Sequence, residues 1–181
     1  MTLPAWLLHS TIYQVFSGRW EASISGNKIL KFDSFRKLKN KNWDNVIKLG
    51  INTFYFLGVF ENRGPITVND ENGTFLSSES YPRVPSIFSI SNHKKLHPKL
   101  GTKQEFIALV KHLHSLHSFV LLDFVPNHTS TAHTWVRDHP EYYVQDNNQF
   151  SPEFSGDVYK LNYENPKLCE EMIDILLWIA D

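Results

Sequence analysis

Three short apolar blocks punctuate the chain, and the stretches between them carry helical periodicity or none. Thr11 to Phe16 (TIYQVF) is β-branched and aromatic and predicts a strand. Ile51 to Phe60 (INTFYFLGVF) is almost continuously apolar, as expected of a parallel strand buried on both faces. Phe119 to Val125 (FVLLDFV) predicts a third buried strand. Between the first two, Phe35, Leu38, Val46 and Leu49 form a loose apolar stripe that ends at Gly50, so residues 34–49 are expected to be partly helical. Thr102 opens a clearer helix. Its hydroxyl can accept from the amide of Glu105, whose carboxylate can reach back, a capping box. Phe106, Val110, Leu113 and His117 then share one face, flanked by Leu109 and Leu116. A last helix is capped by Asn165, carries Pro166 at its first position, and lines up Leu168, Met172, Ile175 and Ile179.

The remaining stretches read differently. Residues 63–92 are polar and rich in Gly, Pro, Ser and Asn, which predicts a long loop. Residues 130–162 have no sustained period and predict a small irregular insertion. The order is therefore β, α, β, α, β, insertion, α, an α/β pattern that argues for a parallel sheet. An open doubly wound sheet and part of a (β/α)8 barrel both fit. No G-x-G-x-x-G follows the first strand, which removes the main support for a dinucleotide fold. Long excursions after the second and third strands suit a barrel, whose active site is built at the strand C-termini. The expected parts are residues 1–128 (the parallel strands with their helices), 129–164 (insertion) and 165–181 (the helix after strand three).

Composition adds little beyond exclusions. The 181 residues carry a net charge of −1 with no long charge run, against nucleic acid or an anionic membrane as partner. Aromatic residues reach 14%, enough both to fill a core and to offer flat faces to sugar rings. The lone Cys169 is expected to be a small buried hydrophobe. The first residues lack the basic and apolar regions of a secretory signal, and the apolar runs are too short to span a bilayer; a cytoplasmic protein is the default expectation. Oligomeric state is not legible.

The candidate chemistry gathers where the third strand ends, at Asp123-Phe124-Val125-Pro126-Asn127-His128. A carboxylate buried in an apolar strand is costly unless it is paired or hydrogen-bonded. In a barrel, Asp123, Asn127 and His128 would face the rim that holds substrate; the competing reading is a hydrogen-bonded strand end with no chemical task. Metal chemistry finds less support. Of the helical histidines His112, His114 and His117, only the last two could meet, and zinc needs three or four convergent ligands. Asp123, His128 and His133 follow no ligand spacing. Trp135, Tyr142 and Tyr143 either pack the insertion or offer sugar platforms.

The D-x-V-x-N-H run at the end of the third strand resembles the first conserved region of the alpha-amylase family, glycoside hydrolase family 13. Ile12 to Phe16 (IYQVF) resembles that family's first strand. Gly101 to Phe106 (GTKQEF), with Leu109, Val110 and His114, resembles its G-T-x-x-D-F-x-x-L-V helix. His139 to Tyr143 (HPEYY) resembles the family's post-strand segment, and Asp157 to Asn165 (DVYKLNYEN) resembles the short region closing its small B domain. The resemblance implies an incomplete (β/α)8 TIM barrel of about three βα units with a short B-domain-like insertion, and a retaining enzyme acting on α-glucans or maltooligosaccharides, with a carboxylate nucleophile and a second carboxyl group as acid and base. It implies that His128 binds the sugar at the cleaved subsite. Asp123 would hold a strand-four arginine, Asn127 would lie beside the B domain, often as a calcium ligand, and Phe88 would stack on the sugar where tyrosine is usual.

Two departures carry further expectations. Asn92-His93 stands where the family commonly has Asp-Tyr. Lys160 stands where calcium-binding members place a carboxylate, and an ammonium cannot ligate a cation, so no calcium is expected. The family's nucleophile and acid/base residues would follow Asp181. The chain is therefore expected to be inactive alone and, with unpaired strand edges, prone to associate. The alternative is a non-catalytic truncated product with residual glucan binding.

Overall fold

The computed structural model describes residues 4–17, 24–25, 28–29, 33–62, 86–154 and 156–181. Most of the polar stretch expected to loop, residues 63–85, lies outside them. The chain divides into two compact units, residues 1–59 with 96–123 and residues 60–95 with 124–181. This division by packing differs from boundaries drawn at residues 128 and 164. His128 and the last helix both belong to the second unit.

The first unit is built on a parallel sheet. Strand β1 (Ile12–Phe16) and strand β3 (Phe119–Leu122) flank strand β2 (Thr53–Leu57), with Val15 opposite Phe56 and Phe56 opposite Leu122. The three apolar blocks thus become neighbouring parallel strands, as the alternation implied. β2, paired on both sides, buries four of its five residues, whereas all four residues of β3 are only half-buried. The run Ile51 to Phe60 does not form one strand. It breaks after Leu57 at Gly58, whose φ is +70°, and resumes as Phe60–Asn62. Residues 34–49 split into short helices Phe35–Lys39 and Asp44–Ile47. Leu49 is 77% exposed, and Ile47 packs toward the core in its place. Gly50 ends this segment at φ +85°, a conformation a side chain would strain.

Helix α1 (Lys103–Ser115) carries the expected capping box between Thr102 and Glu105. Glu105 also meets Arg36 at 2.9 Å, tying α1 to the helix Phe35–Lys39. Gly101 precedes it at φ +128°, and a Cβ there would collide with the Glu105 carboxylate. α1 buries Leu109 and Leu113 against Phe35, Leu38, Trp43, Val15, Phe54 and Phe56. His117 does not continue the apolar face. The helix ends at Ser115, and His117 is exposed in the left-handed conformation at φ 58°.

The second unit is less irregular than its sequence suggests. Ile90–Leu96, its first residues expected in a loop, is a strand paired with Phe60–Asn62. Beyond the third strand, β4 (His128–Ser130), β5 (Pro152–Glu153) and β6 (Val158–Lys160) form an antiparallel sheet in the order β5, β6, β4. Helix α2 (Pro166–Ala180), capped by the Asn165 side chain on the Lys167 amide, presents Leu168, Met172 and Ile175 to a core with Trp135, Tyr142, Tyr143 and Leu161. The three insertion aromatics therefore pack the unit. Cys169 is half-buried rather than buried; it faces a groove with Phe124, Tyr163 and Met172. No helix of the described residues is long and apolar enough to cross a membrane.

Candidate functional site

Local backbone geometry places the site residues. In the first unit, Asp123 lies one residue past the end of β3 and is 3% exposed. Gly58, where β2 breaks, turns its amide to donate to Asp123 Oδ2 at 3.3 Å. Asp123 Oδ1 has no partner among the described residues. Burial pushes this carboxyl up to about 6, against the smaller pulls of the Gly58 amide and of its own backbone amide. It is a buried acid with an acceptor oxygen to spare.

Asn127, His128 and Phe88 belong together in the second unit. His128 starts β4 opposite Lys160 of β6, which fixes its ring beside the β5–β6 turn. The imidazole is almost covered, at 8% exposure. Its Nδ1 lies 3.1 Å from the Asn127 amide nitrogen and 3.7 Å from Glu153 Oε2. Burial lowers the His128 pKa, opposed by the Glu153 charge and by the Phe88 carbonyl within hydrogen-bonding reach. Phe88, 40% exposed, thus touches His128 through its backbone and leaves much of its ring at the surface.

Glu153 organises this cluster. Asn127 Nδ2 donates to its Oε2, and Lys160 Nζ lies 3.7 Å from its Oε1. One carboxylate thus faces an amide, an imidazole and an ammonium. The sequence reading named the amide, the imidazole and Lys160 but missed Glu153. Its pairing depends on the hairpin that sets Glu153 against Val158, a register that no local motif announces.

His93, one of the two unusual residues at 92–93, is 4% exposed. It stacks on Trp135 at 5.6 Å and lies 5.4 Å from His133, with Nε2 3.5 Å from the Val125 carbonyl. Burial drives His93 down to about 4 and His133 to about 3. The neighbouring Asn92 accepts from the Lys94 amide at 2.9 Å, and the Lys94 ammonium meets Glu171 of α2 at 2.9 Å. Asn92 and His93 therefore sit in structural roles inside the second unit. Among the described residues no group of three His, Cys, Asp or Glu converges as a metal-ligand set.

A parallel α/β unit whose third strand ends in a buried acid, followed by a unit with a carboxylate–amide–imidazole cluster, places the chain in the α/β class. Residues 44–153 match the family described as alpha amylase, catalytic domain, and the chain belongs to that family. It is similar to Maltase 1 of Drosophila virilis, at 27% identity over 135 residues covering 54% of this chain and 21% of the relative. It is also similar to the oligo-1,6-glucosidase of Halalkalibacterium halodurans, at 21% identity over 97% of this chain and 33% of the relative. Among solved structures, an alpha-amylase from Lactobacillus plantarum superimposes with a TM-score of 0.70 at 25% identity, covering 95% of this chain and 36% of that one. The chain thus spans a third or less of the length of the curated relatives it matches.

Proposed function

We propose that this chain forms the opening βα units of a (β/α)8 barrel, carrying the sugar-binding wall of an alpha-amylase-type enzyme that acts on α-glucans or maltooligosaccharides with retention. The observation that carries this reading is the cluster around His128. An imidazole held neutral by burial, with its ring fixed by Asn127 and Glu153, is preorganised to exchange a hydrogen bond with a sugar hydroxyl. In this reading His128 binds the sugar at the cleaved subsite, Phe88 offers its ring to the same sugar, and Asn127 positions His128.

Asp123 plays a separate part. Its spare buried oxygen suits a cationic partner. The family resemblance makes that partner an arginine of a fourth strand, which would hold the reacting carboxylate in place. No residue of this chain matches the family's nucleophile or acid/base motifs. The chain alone is therefore expected to bind α-glucans without cleaving them.

Calcium does not fit this cluster. Asn127 shares its carboxylate neighbour, Glu153, with the Lys160 ammonium, which supplies within the fold the positive charge that a bound ion would bring. The test of the function is selective binding. Maltotriose should bind the chain measurably in calorimetry, and cellotriose, its β-linked counterpart, should not. Equal affinity for both sugars, or none for either, would overturn the reading.

A further inference from the structure

The turn between β5 and β6 carries an unusual side chain. Phe154 is 83% exposed, the most exposed large hydrophobic residue of the described chain. Its φ is 53°, in the left-handed region where glycine or asparagine is at home and a bulky aromatic is strained. The turn is closed by the Gly156 amide donating to the Glu153 carbonyl at 3.0 Å, with Gly156 itself at φ +82°. Glycine at position 154 would make this turn with less strain. Burial does not offset that strain, because the ring lies in solvent. Its one described aromatic neighbour is the His128 imidazole, at 5.3 Å and 73°, an edge-to-face contact.

We infer that Phe154 is a sugar platform that sets the orientation of an α-linked glucose unit beside His128. The inference rests on the α-glucan reading above and names a residue that it did not include. The ring offers an apolar face next to a dense set of polar groups: Asn127, His128 and, with 22% of its side chain exposed, Glu153. A ligand that fits must be apolar on one face and ringed with hydroxyls at its edge, and a pyranose is both. A lipid or apolar peptide would strip water from the exposed part of the Glu153 carboxylate and offer it no hydrogen bond in return, at a desolvation cost. The contact of Phe154 with the His128 ring ties the platform to the residue that binds the same sugar.

The test is a calorimetric titration of the 181-residue chain with maltotriose, comparing wild type, Phe154→Ala and Phe154→Trp. Each protein is also melted, and NOEs from the residue 154 ring to sugar C–H protons are sought. Removing the ring should weaken binding about fivefold or more, tryptophan should restore it to within about twofold, and the melting temperature should stay put because the ring packs in no core. Wild-type binding with ring-to-sugar NOEs would accompany this. An unchanged Kd in Phe154→Ala would sink the platform and leave the α-glucan reading intact. A lowered melting temperature paralleling the lost affinity would make Phe154 a folding residue and also overturn the inference. Absence of wild-type binding would remove the α-glucan reading itself, and the platform with it.

Discussion

Two buried groups in separate units respond to pH in opposite directions. Asp123 is raised from its ordinary value to about 6. Below about pH 4 it is protonated in folded and unfolded chains alike; between pH 4 and 6 the folded state holds the proton more tightly. Its contribution to stability therefore falls as pH rises through that window, by about 3 kcal/mol in all. Urea melts of Asp123→Asn should lose this slope. His93 is lowered to about 4. It is neutral in both states above about pH 7, while below that the unfolded chain takes up a proton that the buried ring refuses. Stability is lost as pH falls from about 6.5 toward 4, again by about 3 kcal/mol from His93, and His93→Gln should shrink that acid limb to the part that His133, lowered to about 3, contributes. A steeper acid loss in His93→Gln than in wild type would contradict the buried-neutral assignment. The sequence made Asp123 visible because an acid interrupts an apolar strand. It hid the burial of His93, because nothing local says that residue 93 meets Trp135 and His133.

At the scale of elements, the clearest signals were those with local chemistry. The capping box of α1, the Asn165 cap and the proline that opens α2 all stand where the pattern put them. Replacing Thr102 with alanine is expected to cost about 1 kcal/mol in denaturant melts, since the Glu105 amide loses its acceptor. Elements whose existence depends on distant pairing were not legible. The strand Ile90–Leu96 is polar along much of its length, and only its pairing with Phe60–Asn62 makes it a strand. Strands β4, β5 and β6 are two or three residues long, below the reach of period-two patterning. Gly58 broke the second apolar run because its amide is committed to Asp123, a contact between residues far apart in sequence. The β5–β6 pairing also places Lys160 against Glu153, and this gives a prediction about calcium. Millimolar calcium should leave the melting temperature of the chain unchanged. A stabilisation that saturates with calcium and vanishes in Asn127→Ala would show that the ammonium does not replace the ion.

For the whole molecule, the α/β order and the parallel pairing of three strands were readable from apolar blocks spaced by connections too long for hairpins. Packing assigns residues 60–95 to the same unit as residues 124–181, because the strand Ile90–Leu96 and the residues around Phe88 join the insertion rather than the parallel sheet. His128 consequently acts as a member of the second unit, held by β6 on one side and by Asn127 and Glu153 on the other. The central claim is that this imidazole receives an α-linked sugar. Following the His128 ring resonances by NMR while maltotriose is added tests it most directly. A saturable shift of those resonances is expected, with the ring remaining neutral at pH 7 and cellotriose producing none. Resonances that stay fixed while maltotriose binds elsewhere on the chain would contradict it.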